Sequence, residues 1–226
     1  LITGGTGGHV IPALNFHNYL NRKHEGSKII TDTRGNKYLF KAQENIFVIK
    51  SSSLNGNILL KINGVIDLLL GFIKSIYIIF KYKPDKVISF GSYASLTPML
   101  VCLIFKKFHT TKLFIHEQNT VVGRTNKLFL NFVDKIFLNF DIKQKINKNL
   151  ISRSYVVGSP GKDLRPNINF NNDTFTIFVY GGSQGSEFLI NFIINLIKSF
   201  NLNEIKNYKF YIQCPSKLIN KTSNLL

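Results

Sequence analysis

Two glycine-rich turns constrain this chain more than any other feature. Gly4-Gly5-Thr6-Gly7-Gly8-His9 stands at one end, and Gly181-Gly182-Ser183-Gln184-Gly185 lies far downstream. Each follows a short apolar run (residues 1–2 and 175–180) and precedes a helix-length stretch (residues 12–20 and 188–200). A strand, a bare-backbone turn and a helix start, in that order, present unpaired N–H groups to an anion. Two such sites predict two nucleotide-fold units sharing a phosphate-bearing ligand, and point to chemistry on a nucleotide sugar.

Between the turns the pattern alternates. Residues 28–31, 46–49, 86–90, 112–116 and 135–140 are short, β-branched or aromatic runs that read as buried strands, with helix-length stretches between them. That alternation predicts an α/β fold with a parallel sheet and helices on both faces. Tyr155-Val156-Val157 reads as a last strand, and Gly158-Ser159-Pro160-Gly161 as a linker into Asn-rich sequence. The division expected is a Rossmann-like domain over 1–160 and a second over 161–226. The second contains a strand at 175–180, the glycine turn, a helix and a strand at 209–214. It is short for a domain, so it is expected to be incomplete.

Residues 58–82 are apolar at helical spacing (Ile58, Ile62, Val65, Leu69, Phe72, Ile76, Ile79), with Lys61, Gly64, Asp67, Gly71, Lys74 and Lys81 on a more polar stripe. Charges are read as interrupting it too often for a membrane span. Two readings stand: one or two helices packed on the sheet, or a surface whose surplus apolar residues and lysines lie against an anionic bilayer.

The chain carries 29 Lys and Arg against 12 Asp and Glu, a formal net charge of +17. Such a balance favours phosphates, acidic lipid or nucleic acid. A compositional origin competes with it, because Lys, Asn, Ile, Phe and Tyr, the residues of AT-rich coding sequence, crowd the chain. No helix-turn-helix, zinc-finger or aromatic RNA-binding signature is present, so no nucleic-acid partner is expected. The 44% hydrophobic content suffices for a real core. Cys102 and Cys214 suggest neither a disulfide framework nor a zinc site, which fits a reducing, cytosolic setting. No signal peptide is read at the start, and because the chain opens on Leu1 with a stub of strand, a longer N-terminus is expected.

The first turn is neither a P-loop nor a dinucleotide fingerprint: no Lys-Ser/Thr follows its glycines, and Val10 stands where a glycine would be needed. Pro12 is expected near the first turn of the helix, where a missing N–H is harmless. His9 is either a helix cap or a general base beside a bound hydroxyl. His116-Glu117-Gln118-Asn119 ends a strand, at the edge where open α/β sheets place ligands. Adjacent His and Glu on a strand end point to opposite sides, so no metal site is expected there.

In series, these motifs resemble the MurG glycosyltransferases. The resemblance rests on Gly4 to His9, on His116 to Asn119 with Gly123 and Thr125-Asn126-Lys127 after it, and on Gly181 to Gly185. Asp32-Thr33-Arg34-Gly35, and Lys83-Pro84-Asp85 leading into Gly91-Ser92-Tyr93, fall in the same order. It covers essentially the whole chain.

The resemblance implies a GT-B fold with its active site between two domains. It implies inverting transfer of N-acetylglucosamine from UDP-N-acetylglucosamine to the 4-hydroxyl of lipid I, giving lipid II for peptidoglycan, without cofactor or metal. Helix N-termini and basic side chains would then stabilise the departing diphosphate. His9 is the implied base and Glu117 the second candidate. Thr6, Gly7, Gly8 and Asn119 would face the donor, and Tyr93, His116 and Asn126 the acceptor. Ser183, Gln184 and Gly185 would meet the diphosphate. Lys162 stands where the family carries an arginine, keeping charge without a bidentate grip.

Ser92 replaces the second glycine of the family's Gly-Gly-Tyr and is expected to tighten the acceptor loop. The family's second domain continues past residue 226 with its uracil and ribose contacts, so this chain alone is expected to turn over little. The implied location is peripheral, on the cytoplasmic face of the bacterial inner membrane. The implied partners are an anionic lipid surface and cell-wall synthesis or division proteins. A non-catalytic remnant that keeps a folded lipid- or partner-binding domain is the alternative. A UDP-N-acetylglucosamine 2-epimerase is a weaker one, since it leaves the His-Glu-Gln-Asn and Thr-Asn-Lys series unexplained.

Overall fold

The computed structural model describes residues 1–39, 45–52, 56–161, 174–182, 185–201 and 205–219. The chain divides into two compact units, Leu1–Asp163 and Leu164–Leu226.

The first unit is built on a parallel sheet. β1 (Ile29–Asp32) pairs with β2 (Ile46–Ile49), while β3 (Lys86–Ser89), β4 (Lys112–Glu117), β5 (Lys135–Leu138) and β6 (Ser154–Val156) pair in chain order. The stub at residues 1–3 joins the two sets. Ile2 N–H donates to the Ile88 carbonyl and Phe90 N–H to the Ile2 carbonyl, both at 2.8 Å, while Thr3 N–H reaches the Ile30 carbonyl at 3.0 Å. The chain leaves the stub toward β1 and β2, then returns to its other side at β3. That reversal creates a switch point between the stub and β3, at the carboxyl ends of the strands.

The strands expected from sequence are all present, their ends moved by one or two residues. The run expected at 135–140 closes at Leu138, for example, and that at 28–31 is Ile29–Asp32. Leu113, Ile115, Ile136 and Leu138 are buried under α4 (Leu96–Phe105) and α5 (Arg124–Phe129), whose Met99, Cys102 and Phe129 join the same core. Burial pushes the Cys102 thiol up to about 12, so it packs as a small hydrophobe.

α1 (Gly7–Arg22) starts earlier than the sequence suggested, directly at the glycine turn. Pro12 is therefore its sixth residue rather than a first-turn one, and its missing N–H leaves the carbonyl of exposed Gly8 without its helical partner.

α3 (Ile58–Tyr82) is one continuous helix of 25 residues, capped by Asn57 at its start and by left-handed Lys83 before Pro84 at its end. Two expectations change here. The helix is long and apolar enough, by length and composition, to cross a membrane. The buried face also crosses the two stripes: Gly64 and Gly71, read as more polar, turn inward with Ser75, Ile78 and the apolar-stripe Ile79. Ile58, Ile62, Val65 and Leu69, read as the apolar stripe, are exposed. Small residues won because the helix lies very close to its neighbours. A Cβ on Gly71 would collide with the Lys50 carbonyl and lie 3.3 Å from Thr97 Oγ1.

The second unit pairs β7 (Phe175–Val179) with β8 (Tyr208–Ile212) in parallel, followed across the glycine turn by α6 (Glu187–Ser199). Ile190, Ile193 and Ile194 form the buried face of α6, and Ser186 caps it by accepting from Leu189 N–H at 3.2 Å.

Candidate active site

Three loops meet at the switch point of the first unit: the Gly4–His9 turn after the stub, residues 90–95 after β3, and residues 117–126 after β4. The glycine turn is pinned from below. Asp32, at the end of β1 and capping the short α2 (Thr33–Asn36), is 1% exposed, and its Oδ1 accepts N–H groups of Gly5 and Gly35, both at 2.8 Å. Arg34 Nε donates to the other carboxylate oxygen at 2.9 Å. There is no room for side chains: a Cβ on Gly4 would sit 2.5 Å from that of Ala94, and Gly5 holds φ at +74°. The turn delivers the start of α1 with Thr6 as its N-cap residue, which makes no side-chain cap. The first N–H groups of that helix, on Gly7 and Gly8, have no intrahelical acceptor and carry the positive end of the dipole. Thr6 and Gly8 are exposed.

His9 lies inside the first turn of α1, so it does not cap the helix. Its Nδ1 is 2.8 Å from the Phe90 carbonyl and 2.9 Å from Gln118 Oε1. Among the described residues, no hydrogen bond engages its Nε2.

Glu117 is placed differently from what a second base requires. Its carboxylate is buried at 1% exposure and accepts four donors. Asn119 N–H and Nδ2 reach Oε1 at 3.0 and 3.1 Å, while Gly123 N–H and Asn126 Nδ2 reach Oε2, both at 2.9 Å. A carboxylate so enclosed shapes the loop and leaves no open approach for a substrate proton.

His116 and Asn126, expected on the acceptor side, are likewise buried. Asn126 packs over Gly91, where a Cβ would lie 3.1 Å from its Nδ2, so it supports the loop from behind. His116 donates from Nε2 to the Gly158 carbonyl at 2.9 Å and stacks on Phe90 with ring centroids 5.2 Å apart. Burial pushes its pKa below the ordinary histidine value, against the opposing pull of the Gly158 carbonyl and Glu117. Asn119 is exposed, and half-buried Tyr93 opens a 3-10 turn, Tyr93–Ser95. The Oγ of Ser92 reaches the first turn, 2.9 Å from where a Cβ on Gly5 would stand.

In the second unit, Gly185 holds φ at +69°, and a Cβ there would lie 2.5 Å from Pro215 Cγ. Gly181 N–H donates to Gln213 Oε1 at 3.0 Å. Lys162, Ser183 and Gln184 fall outside the described residues. The sequence reading passed over Asp32 and Gln118 as site residues. Their signal was present: an acid closing the second strand of a nucleotide-type unit, and a polar residue just past a strand end. Among the described residues, no group of three or more His, Cys, Asp or Glu has the arrangement to hold a metal ion.

The profile of the glycosyltransferase family 28 N-terminal domain matches residues 1–138, which contain every element of the switch-point site. The chain belongs to this family. The family 28 chain is 31% identical over 223 residues to a Rickettsia bellii protein and 35% identical over 219 residues to one from Sulfurihydrogenibium. Both are named UDP-N-acetylglucosamine–N-acetylmuramyl-(pentapeptide) pyrophosphoryl-undecaprenol N-acetylglucosamine transferase. The alignments cover 94% and 92% of this chain, and 59% of each relative, so the chain spans less than two thirds of their length. The crystal structure of Acinetobacter baumannii MurG matches with a TM-score of 0.66 at 21% identity, over 99% of this chain and 60% of that one. The α/β fold with parallel sheets expected from sequence is the fold found.

Proposed function

We propose that this chain forms the acceptor-side unit, and part of the donor-side unit, of an inverting N-acetylglucosaminyltransferase acting on lipid I. The observation that carries the reading is His9: an imidazole in the first turn of a helix, beside exposed Gly8, with one ring nitrogen anchored and the other unengaged among the described residues. The names of the relatives supply the substrates, UDP-N-acetylglucosamine and an undecaprenyl-linked muramyl pentapeptide.

In this mechanism the 4-hydroxyl oxygen of the acceptor bonds to the anomeric carbon as the bond to the diphosphate oxygen breaks. The hydroxyl proton passes to His9 Nε2, and UDP departs with the electron pair. Thr6, Gly7 and Gly8 face the donor, where the positive helix start favours the charge that develops. Ser183, Gln184 and Gly185 serve the diphosphate, with Lys162 adding charge. Tyr93 and Asn119 line the open side, while Glu117, Asn126 and His116 hold the loops behind them.

The proposed location is peripheral, with the exposed apolar face of α3 on an anionic bilayer. Leu100, Ile104 and Phe108, on α4 and the turn after it, are exposed as well, with Lys106 and Lys107 beside them in the sequence.

Transfer of labelled N-acetylglucosamine to a short-chain lipid I analogue tests the reading. The chain is assayed as it stands and joined to the remainder of a relative's second domain. We expect turnover in the joined protein, falling about a hundred- to ten-thousand-fold in His9→Ala. Near-normal turnover in His9→Ala removes His9 from the chemistry.

A further inference from the structure

We propose that Gln118 is a positioning residue that fixes His9 as the tautomer with its proton on Nδ1, leaving the basic lone pair on Nε2. The inference rests on the reading of His9 as the base, and it follows from backbone carbonyls, whose polarity is not in question.

The Phe90 carbonyl, 2.8 Å from His9 Nδ1, can only accept, so that nitrogen carries the hydrogen. Gln118 Oε1 stands 2.9 Å from the same nitrogen and shares it. The amide cannot be turned over. Its Nε2 lies 2.9 Å from the His116 carbonyl, so rotation would set oxygen against oxygen there and N–H against N–H at His9. Held this way, Gln118 Nε2 also donates to His116 Nδ1 at 3.1 Å. That nitrogen must be bare, and it is, because His116 Nε2 gives its hydrogen to the Gly158 carbonyl at 2.9 Å.

One arrangement of protons therefore satisfies the whole chain from Gly158 through His116 and Gln118 to His9 and Phe90. With both rings neutral, every alternative breaks at least one bond to a carbonyl. Because α1 carries His9 and the β4 edge carries Gln118, the lock forms only when the first glycine turn and the post-β4 loop meet. A general base needs its lone pair on the nitrogen that faces the substrate, and here Nε2 is the unengaged one.

Side-chain 15N–1H correlation spectra of the 226-residue chain at about pH 8, where an ordinary imidazole is neutral, test this directly. We expect His9 protonated on Nδ1 and His116 on Nε2. Gln118→Leu leaves the Phe90 carbonyl as the one acceptor at Nδ1, so the single tautomer of His9 should give way to a mixture of the two. His9 carrying its proton on Nε2 in the unmodified chain overturns the proposal. So does an unchanged His9 in Gln118→Leu. Should Gln118→Leu fail to fold, the unmodified chain decides alone, and His116 carrying its proton on Nδ1 there counts against the proposal as well. Failure of the base reading looks different: the tautomers stand as expected, but His9→Ala leaves transfer intact in the joined protein.

Discussion

Ser92 adopts φ 80° and ψ 159°, a backbone region that is essentially glycine's own. Its Oγ meets Ala94 N–H only at 3.4 Å, a weak return for the strain. Ser92→Gly is expected to raise stability by about 1 kcal/mol, the relief of strain outweighing the added freedom of the unfolded chain. A urea midpoint that stays level or falls in that variant would show that the hydroxyl is held by more than this contact. Glycines were legible in the sequence as turns, and the Ser92 replacement as a departure from pattern. The anchor beneath them was not, because Asp32 becomes a clamp only when β1 is set beside the stub and its Oδ1 reaches two loop N–H groups. The enclosure of Glu117 was hidden for a related reason. An acid at a strand end looks available in sequence, and its four donors come from residues whose approach depends on how the loop closes.

At the scale of elements, α3 is where pattern and packing part. Most positions from 58 to 82 are apolar or small, so the stripe read from helical spacing did not select the face that packs. Backbone proximity selected it, favouring Gly64, Gly71 and Ser75, with the Ser75 hydroxyl satisfied by the Gly71 carbonyl at 2.6 Å. The larger residues were left outside, among them Ile58 at 75% exposure, Ile73 at 63% and Leu69 at 58%. The proposed peripheral location would set this apolar surface, with the lysines around it, on anionic lipid. The chain is expected to sediment with vesicles containing anionic phospholipid. Because each inserted Leu or Ile contributes about 1 kcal/mol or more, Leu69→Ser with Ile73→Ser should lower the partition about tenfold or more. Both sites are exposed, so the fold should be little changed. Equal partition of the two proteins would place the lipid contact elsewhere.

For the molecule as a whole, the buried imidazole of His116 links the fold to pH. Its folded pKa is depressed, so the folded state binds fewer protons than the unfolded one between that value and about 6.5. Its contribution to stability is whole above about pH 6.5 and is lost as pH falls toward the folded value. Asp134 adds a later step. Partial burial works to raise its pKa, but hydrogen bonds from Lys106 and Leu113 N–H hold it below the ordinary value, so its contribution is lost only as pH falls below about 4. Urea midpoints should therefore decline from pH 7.5 to 5.5, a range set by the ordinary histidine value of about 6.5. A flat profile would mean that His116 takes a proton in the folded state without penalty. The sequence by itself determined the class of fold, the strands and the places where backbone donors gather, because apolar alternation and glycine turns are local properties. Only the tertiary structure decided which face of α3 is buried, that four donors enclose Glu117, and that Gln118 comes within hydrogen-bonding reach of His9. Each of those depends on which groups from distant segments come within hydrogen-bonding or van der Waals reach.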